Sequence, residues 1–291
     1  MTNYYRQPDA EGRRKFLGTC GMAVTGAAIA HWTTGSLRAL AQQPSAAGAP
    51  ASAGTASPEL IEDLVAANRI LASEGVLDGF GHVSVRHDKN PQRYLISRSL
   101  APALVTVADI LEYDLDSRAV DARGQAEYSE VFIHGEIYKA RPDIKAIVHN
   151  HSPAVIPFSV TGIPIRPIYH MSAFIGEGVP VFDIRKEMKE DTDMLSRTQA
   201  RGSALARVLG KHPATLLRGH GCVVVADNVK LATFNSYYLQ TNAALQLEAM
   251  GISSEVTYLT DAESARVMTD LWGKGRYTRA WDMWKQKAMG K

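Results

Sequence analysis

Ala146-Ile147-Val148-His149-Asn150-His151 is the stretch on which the reading of this chain turns. Three apolar residues lead into two histidines that flank one asparagine. Along a strand, side chains alternate between the two faces, so residues two apart point the same way. His149 and His151 therefore share a face and Asn150 takes the other. Two neutral imidazoles on a rigid strand end are two ligands for a divalent metal, and Pro153 follows as a break.

A third histidine comes from further along. Ala214–Leu217 and Cys222–Ala226 read as apolar strands, joined by Arg218-Gly219-His220-Gly221. Glycines on both sides let the backbone turn tightly and approach another element, and His220 has no packing reason to stand there. His149, His151 and His220 make a three-histidine set with room for other ligands, the pattern of a catalytic rather than a structural metal. Zinc is the first expectation, with manganese, cobalt or iron as alternatives. Ser129 reads as the N-cap of a helix from Glu130 to about Ala140. That puts the Glu130 carboxylate at a helix N-terminus beside the metal strand, as the acid/base. His134, one turn on, reads as a support behind the ligands or a core residue, with a fourth ligand as the alternative.

Outward from this centre, Ser57-Pro58-Glu59 opens a helix with an apolar stripe through Leu60, Leu64, Ala67 and Leu71. Strands are expected at His82–His87, Arg93–Ser97, Ile110–Leu115 and Val179–Asp183. Further helices are expected at Pro153–Val160, Leu195–Leu209, Val229–Met250 with Gly251 as its cap, Asp261–Trp272 and Arg276–Met289. The aromatic run Trp272, Tyr277, Trp281 and Trp284 has partly helical spacing and reads as packing, or as a cover for a neighbouring subunit's site. Strands set between helices without a regular βαβ alternation predict either an α+β fold or an α/β/α sandwich with a central mixed sheet.

The first residues read as an address. Arg13-Arg14 precedes the apolar stretch Phe16–Ala30, and Ala39-Leu40-Ala41 is a small-x-small site. Residues 1–41 thus predict a twin-arginine signal peptide and a periplasmic protein. Residues 42–57, rich in Ala, Ser, Gly and Pro, predict a flexible tether, and 58–291 one catalytic domain. The formal charge of the whole chain is +2, but five bases and two acids lie in the first 41 residues. The remainder, 27 bases against 28 acids, is near neutral, so neither nucleic acid nor a membrane surface is an expected partner. Once residues 1–41 are removed Cys222 is the only cysteine, and an internal disulfide is excluded.

Taken together, Tyr128-Ser129-Glu130, His134, Arg141-Pro142-Asp143, Val148-His149-Asn150-His151-Ser152 and Arg218-Gly219-His220-Gly221 resemble the class II aldolase/adducin family over nearly all of residues 58–250. The resemblance implies the α/β/α fold, a divalent metal on His149, His151 and His220, Glu130 as the catalytic glutamate, and a homotetramer with sites at subunit interfaces. The departures matter as well. The sugar-phosphate aldolases typically carry a Gly-Asn-x-Ser phosphate loop, which here is Gly81-His82-Val83-Ser84. Their Thr-Pro-Ser-Gly stretch is replaced by Ile96-Ser97-Arg98-Ser99-Leu100, and their Ser-Ser-Glu by Tyr128-Ser129-Glu130. These exchanges resemble the decarboxylase-like branch, which includes dihydroxyphthalate decarboxylases. They imply a non-phosphorylated small molecule, carboxylated or phenolic, in contact with His82, Ser84, Arg98, Ser129, Tyr169 and His170, with Tyr128 beside them. Arg98 would hold a carboxylate through its fork of donors. The expected reaction is cleavage of a C–C bond, by decarboxylation or retro-aldol chemistry, through a metal-stabilised enolate that Glu130 protonates. A sugar aldolase or epimerase, an iron-dependent oxygenase and an adducin-like binding module are the alternatives.

Overall fold

The apolar run Ala146–Asn150 is buried on both faces and becomes the middle strand of the domain. The protein is described by a computed structural model covering residues 48–176 and 178–290. The expected signal peptide and residues 42–47 of the tether lie outside the described residues.

Seven strands form one sheet: β1 (His82–Arg86), β2 (Arg93–Ser97), β3 (Ile110–Asp114), β4 (Ala146–Asn150), β5 (Val181–Phe182), β6 (Ala214–Leu217) and β7 (Gly221–Ala226). Their order is β3-β2-β1-β4-β7-β6-β5, antiparallel throughout except for the parallel β5–β6 edge. The helices are α1 (Pro58–Ser73), α2 (Val131–Ala140), α3 (Ile156–Thr161), α4 (Ile184–Met188), α5 (Gln199–Leu209), α6 (Val229–Ile252), α7 (Asp261–Val267) and α8 (Thr278–Met289).

Alternation along the strands sorts the core into two layers. Val83, Val85, Ala146, Val148 and Val224 join a cluster with residues of α1, α6 and α8. Ile96, Leu111, Ile147, Val223 and Val225 join a second cluster with residues of α2 and α5. Helices therefore cover both faces of a mixed sheet, the expected α/β/α sandwich. His149 follows Ile147 by two and lies on the α2 side. The aromatic stretch near the C-terminus belongs to the first layer, with Trp272, Trp281 and Trp284 all buried.

Several boundaries differ from the sequence expectation. The tether is fixed from Ala51 onward. The Arg93 guanidinium donates to the Ala51 carbonyl at 2.9 Å, and Ser52 and the Ala53 amide donate to Glu112 at 2.6 and 2.7 Å. A segment with no apolar period is thus held by polar partners on β2 and β3. Gly251 lies inside α6, which ends one residue later where Ser253 turns to extended backbone. The helix expected from Leu195 begins at Gln199, where the Thr198 side chain accepts from the Arg201 amide. The cap of α2 is Glu130 rather than Ser129, and the Glu130 side chain does not bond to the helix. That displacement frees its carboxylate for the site. Among the described residues no helix is long and apolar enough to cross a membrane.

Candidate metal centre

Four side chains meet where β4 ends. Glu130, His149, His151 and His220 each offer one ligand atom, and these atoms lie within 4.8 Å of one another. His149 is placed by register, opposite His82 on β1 and Val223 on β7. His220 is placed by its glycines, for two different reasons. Gly219 has φ +64°, a left-handed turn position that favours glycine. At Gly221 a Cβ would lie 2.0 Å from the Asn150 carbonyl oxygen, so only glycine lets β7 close against β4 there.

The histidines are oriented from behind. His149 Nδ1 lies 3.1 Å from the Cys222 carbonyl, and His220 Nδ1 lies 3.0 Å from the Met194 carbonyl. A carbonyl only accepts, so both rings carry their proton on Nδ1 and turn an Nε2 lone pair toward the centre. Met194 itself sits at φ +69°, a left-handed conformation of the kind stored at functional sites. His149 Nε2 is buried and bonds to nothing among the described residues. His220 Nε2 and His151 Nε2 approach to 3.0 Å.

The Glu130 carboxylate completes the ring. Its Oε1 accepts from the Ser196 amide at 2.8 Å. Its Oε2 stands 3.6 Å from His149 Nε2 and 3.7 Å from His220 Nε2, beyond hydrogen-bond range. Burial pushes this carboxyl up, but attraction to His149 and His220 and the Ser196 amide outweigh it and hold the group down at about 2. Burial, then mutual repulsion with His149 and His220, lowers His151 to about 4. His220 is lowered by burial first and then by His149. At neutral pH the ionised Glu130 carboxylate thus faces the unprotonated rings of His151 and His220, with the buried, unpartnered Nε2 of His149 among them. That donor set fits a divalent cation.

A cleft of about 540 Å³ opens over this centre. Its wall includes Phe80, His82, Leu100, Tyr128, Ser129 and Glu130, together with His149 and His151. The His82 ring lies 4.5 Å from that of Tyr128 and 5.1 Å from that of His149. The sequence model of the class II aldolase and adducin N-terminal domain matches residues 62–247. The chain belongs to this family. Among its aldolase/adducin relatives, decarboxylase tropJ of Talaromyces stipitatus is 34% identical over 206 residues, covering 67% of this chain and 77% of that one. A 3,4-dihydroxyphthalate decarboxylase of Arthrobacter keyseri is 32% identical over 236 residues, 76% of this chain and 90% of that one. In fold the chain is similar to L-fuculose 1-phosphate aldolase from Glaciozyma antarctica, with a TM-score of 0.66 at 24% identity over 82% of this chain and 93% of that one.

Not every residue expected at the site is brought to it. Glu130, the three histidines, His82 and Ser129 meet there, with Tyr128 beside them. Ser84 lies behind His82, fully buried, with its hydroxyl engaged by His134 and Tyr138. Arg98 is absent from the cleft wall, because its Nε is paired with Asp109 at 2.6 Å. Tyr169 and His170 lie on a 3₁₀ turn over residues 170–175 and its cap, where Tyr169 meets Tyr238 and His170 stacks on Trp272. Conversely, Phe80, the Met194 and Cys222 carbonyls and the Ser196 amide enter the site without a sequence signal. Backbone groups act there whatever the side chain, so residue type does not announce them.

Proposed function

We propose that the protein is a metal-dependent carbon–carbon lyase that decarboxylates a non-phosphorylated aromatic acid bearing neighbouring hydroxyls. The observation that carries this reading is the convergence of His149, His151, His220 and Glu130 under an open, ring-walled cleft. The family assignment and the names of the two decarboxylase relatives support it. Among the described residues of a single subunit the cleft wall includes no lysine or arginine, so a doubly charged phosphate finds no basic side chain from this chain there. His82, Tyr128 and Phe80 instead offer ring faces to a planar substrate.

Held by the three histidines, with Glu130 adjacent, a divalent cation supplies Lewis-acid stabilisation of the charge that builds on substrate oxygen as the C–C bond breaks. Zinc is the first candidate, with manganese, cobalt or iron behind it. The residues do the proton work. Glu130 rests as an anion and so begins as a base, taking the proton of a substrate hydroxyl as it binds. Protonated in this way, it becomes the acid that places a proton on the carbon from which CO₂ leaves. The Ser196 amide holds Oε1 in place and leaves Oε2 toward the histidines for that transfer. Leu100 and Leu195 contribute apolar wall that limits water at the reacting carbon.

The test is incubation of protein loaded with each metal with 3,4-dihydroxyphthalate and a panel of ortho-hydroxylated aromatic acids, following CO₂ release. CO₂ matched by a decarboxylated phenol is the expected result. Oxygen uptake without CO₂ release would replace the lyase with an oxygenase, and inertness with no metal uptake would favour a binding module. Export by the twin-arginine route and homotetrameric assembly belong to the same proposal. The first predicts a periplasmic protein beginning at Gln42, the second a solution mass of four subunits.

A further inference from the structure

His134, Ser84 and Tyr138 take no part in the chemistry above, yet they form a closed polar chain behind the cleft. The Tyr138 hydroxyl lies 2.9 Å from Ser84 Oγ. Ser84 Oγ lies 2.6 Å from His134 Nδ1, and His134 Nε2 lies 2.7 Å from His82 Nδ1. All four residues are buried, and only His82 reaches the cleft.

Such a chain of hydrogen bonds can run in either of two directions, and its closed end decides between them. Among the described residues Tyr138 has no hydroxyl partner except Ser84. Arg86 lies over its ring at 4.6 Å, and a guanidinium offers donors only. If Ser84 donated to Tyr138, the phenolic proton would be buried without an acceptor, which costs on the order of 1–3 kcal/mol. If Tyr138 donates, every member is satisfied. Tyr138 gives its proton to Ser84, Ser84 gives to His134 Nδ1, and His134 Nε2–H gives to His82 Nδ1. His82 must then carry its own proton on Nε2, which has no partner among the described residues.

We infer that Tyr138, Ser84 and His134 fix His82 as the Nε2–H tautomer, so that it stands in the cleft as a hydrogen-bond donor. His82 and His149 are register partners on adjacent strands. They are held in opposite tautomers by opposite kinds of neighbour. A carbonyl behind His149 leaves a lone pair for a metal, and an N–H behind His82 leaves a donor. This explains why His82, with its ring 5.1 Å from that of His149, stands outside the ligand set. The group it receives is an acceptor oxygen of the bound molecule, a phenolate or carboxylate oxygen. That last step rests on the proposed function, whereas the tautomer does not. His82 is the group that touches substrate, and His134, Ser84 and Tyr138 are positioning residues.

The experiment is long-range ¹H–¹⁵N correlation on histidine-labelled, zinc-loaded protein, with His82 assigned from His82→Gln. A protonated Nε2 and an unprotonated Nδ1 at neutral pH are expected. In Ser84→Ala nothing decides which nitrogen of His134 is protonated, so both His82 nitrogens should move to intermediate shifts. Should that variant fail to fold, Tyr138→Phe serves, because it leaves the Ser84 hydroxyl free to accept from His134. A protonated Nδ1 or a doubly protonated ring in the wild type would overturn the inference, as would an unchanged single tautomer in the variant. Adding 3,4-dihydroxybenzoate should shift the Nε2 proton. If it binds and the proton does not move, the donor role is lost while the tautomer stands. None of these readouts requires turnover, so a failed decarboxylation assay leaves them intact.

Discussion

At the scale of single residues, the site divides into groups that act and groups that hold. In the proposed reaction Glu130 moves the proton, so Glu130→Gln should reduce turnover by about 10²–10⁴-fold. The three histidine ligands remain, and elemental analysis should find metal content unchanged. Gly221 holds. Gly221→Ala pushes a Cβ into the Asn150 carbonyl, parts β7 from β4 and carries His220 away from His151. Metal should be lost on dialysis, and thermal unfolding should show about 1–3 kcal/mol of lost stability. The clustering of His149, His151 and His220 was legible in sequence, because a histidine pair two residues apart at a strand end and a histidine between glycines have few structural uses. Arg98 reads equally well as a free fork of donors until Asp109, eleven residues on, is seen beside it. Composition and spacing do not say which carboxylate an arginine meets.

Between elements, the α2–β1 interface buries titratable rings. Burial first, then repulsion from His149, brings His134 from the usual 6.5 to about 3, and His82 is pushed down for the same leading reason. The unfolded chain binds these protons below pH 6.5 and the folded chain does not. Stability of the chelated protein is therefore complete above about pH 6.5. It falls as pH drops through the window down to about 4 for His151 and 3 for His134. Melting temperatures of the chelated protein across this range check the sign, and a flat profile would contradict it. On the opposite face, α8 covers α1 and α6. Trp284 is buried against the ring of Tyr237, 4.9 Å between centroids, and Trp284→Ala should cost about 3–5 kcal/mol in denaturant titration. Most elements were legible because their signals are local: Ser57 with Pro58 and the apolar stripe for α1, and the apolar runs on either side of Gly219-His220-Gly221 for β6 and β7. The five residues of α4 and the exact cap of α2 were not. A single turn has no period to read, and Glu130 stands at the cap with its side chain turned away from the helix toward His149 and His220.

For the molecule as a whole, the centre joins segments that lie far apart along the chain: Glu130, then His149 at the end of β4 with His151 just beyond it, and His220. A metal that binds only this assembled arrangement adds about 3–4 kcal/mol at 100–1,000 times its dissociation constant. Chelation should lower the melting temperature by several degrees, restored by readdition, and in His149→Ala neither change should appear. The sequence of strands and helices narrows the fold to α+β or a layered sandwich, and the sorting of the strand faces into two helical layers decides for the sandwich. The strand order was not legible, since nothing in the apolar strands names their neighbours. That order governs when the centre comes into being during synthesis. β4 lies between β1, made long before it, and β7, made long after. A nascent chain emerged as far as residue 200 has the strands for β3-β2-β1-β4, yet one edge of β4 is bare. The Cys222 carbonyl that turns His149 inward does not yet exist. If the proposed metal binds only the assembled centre, its capture waits for the last third of the polypeptide.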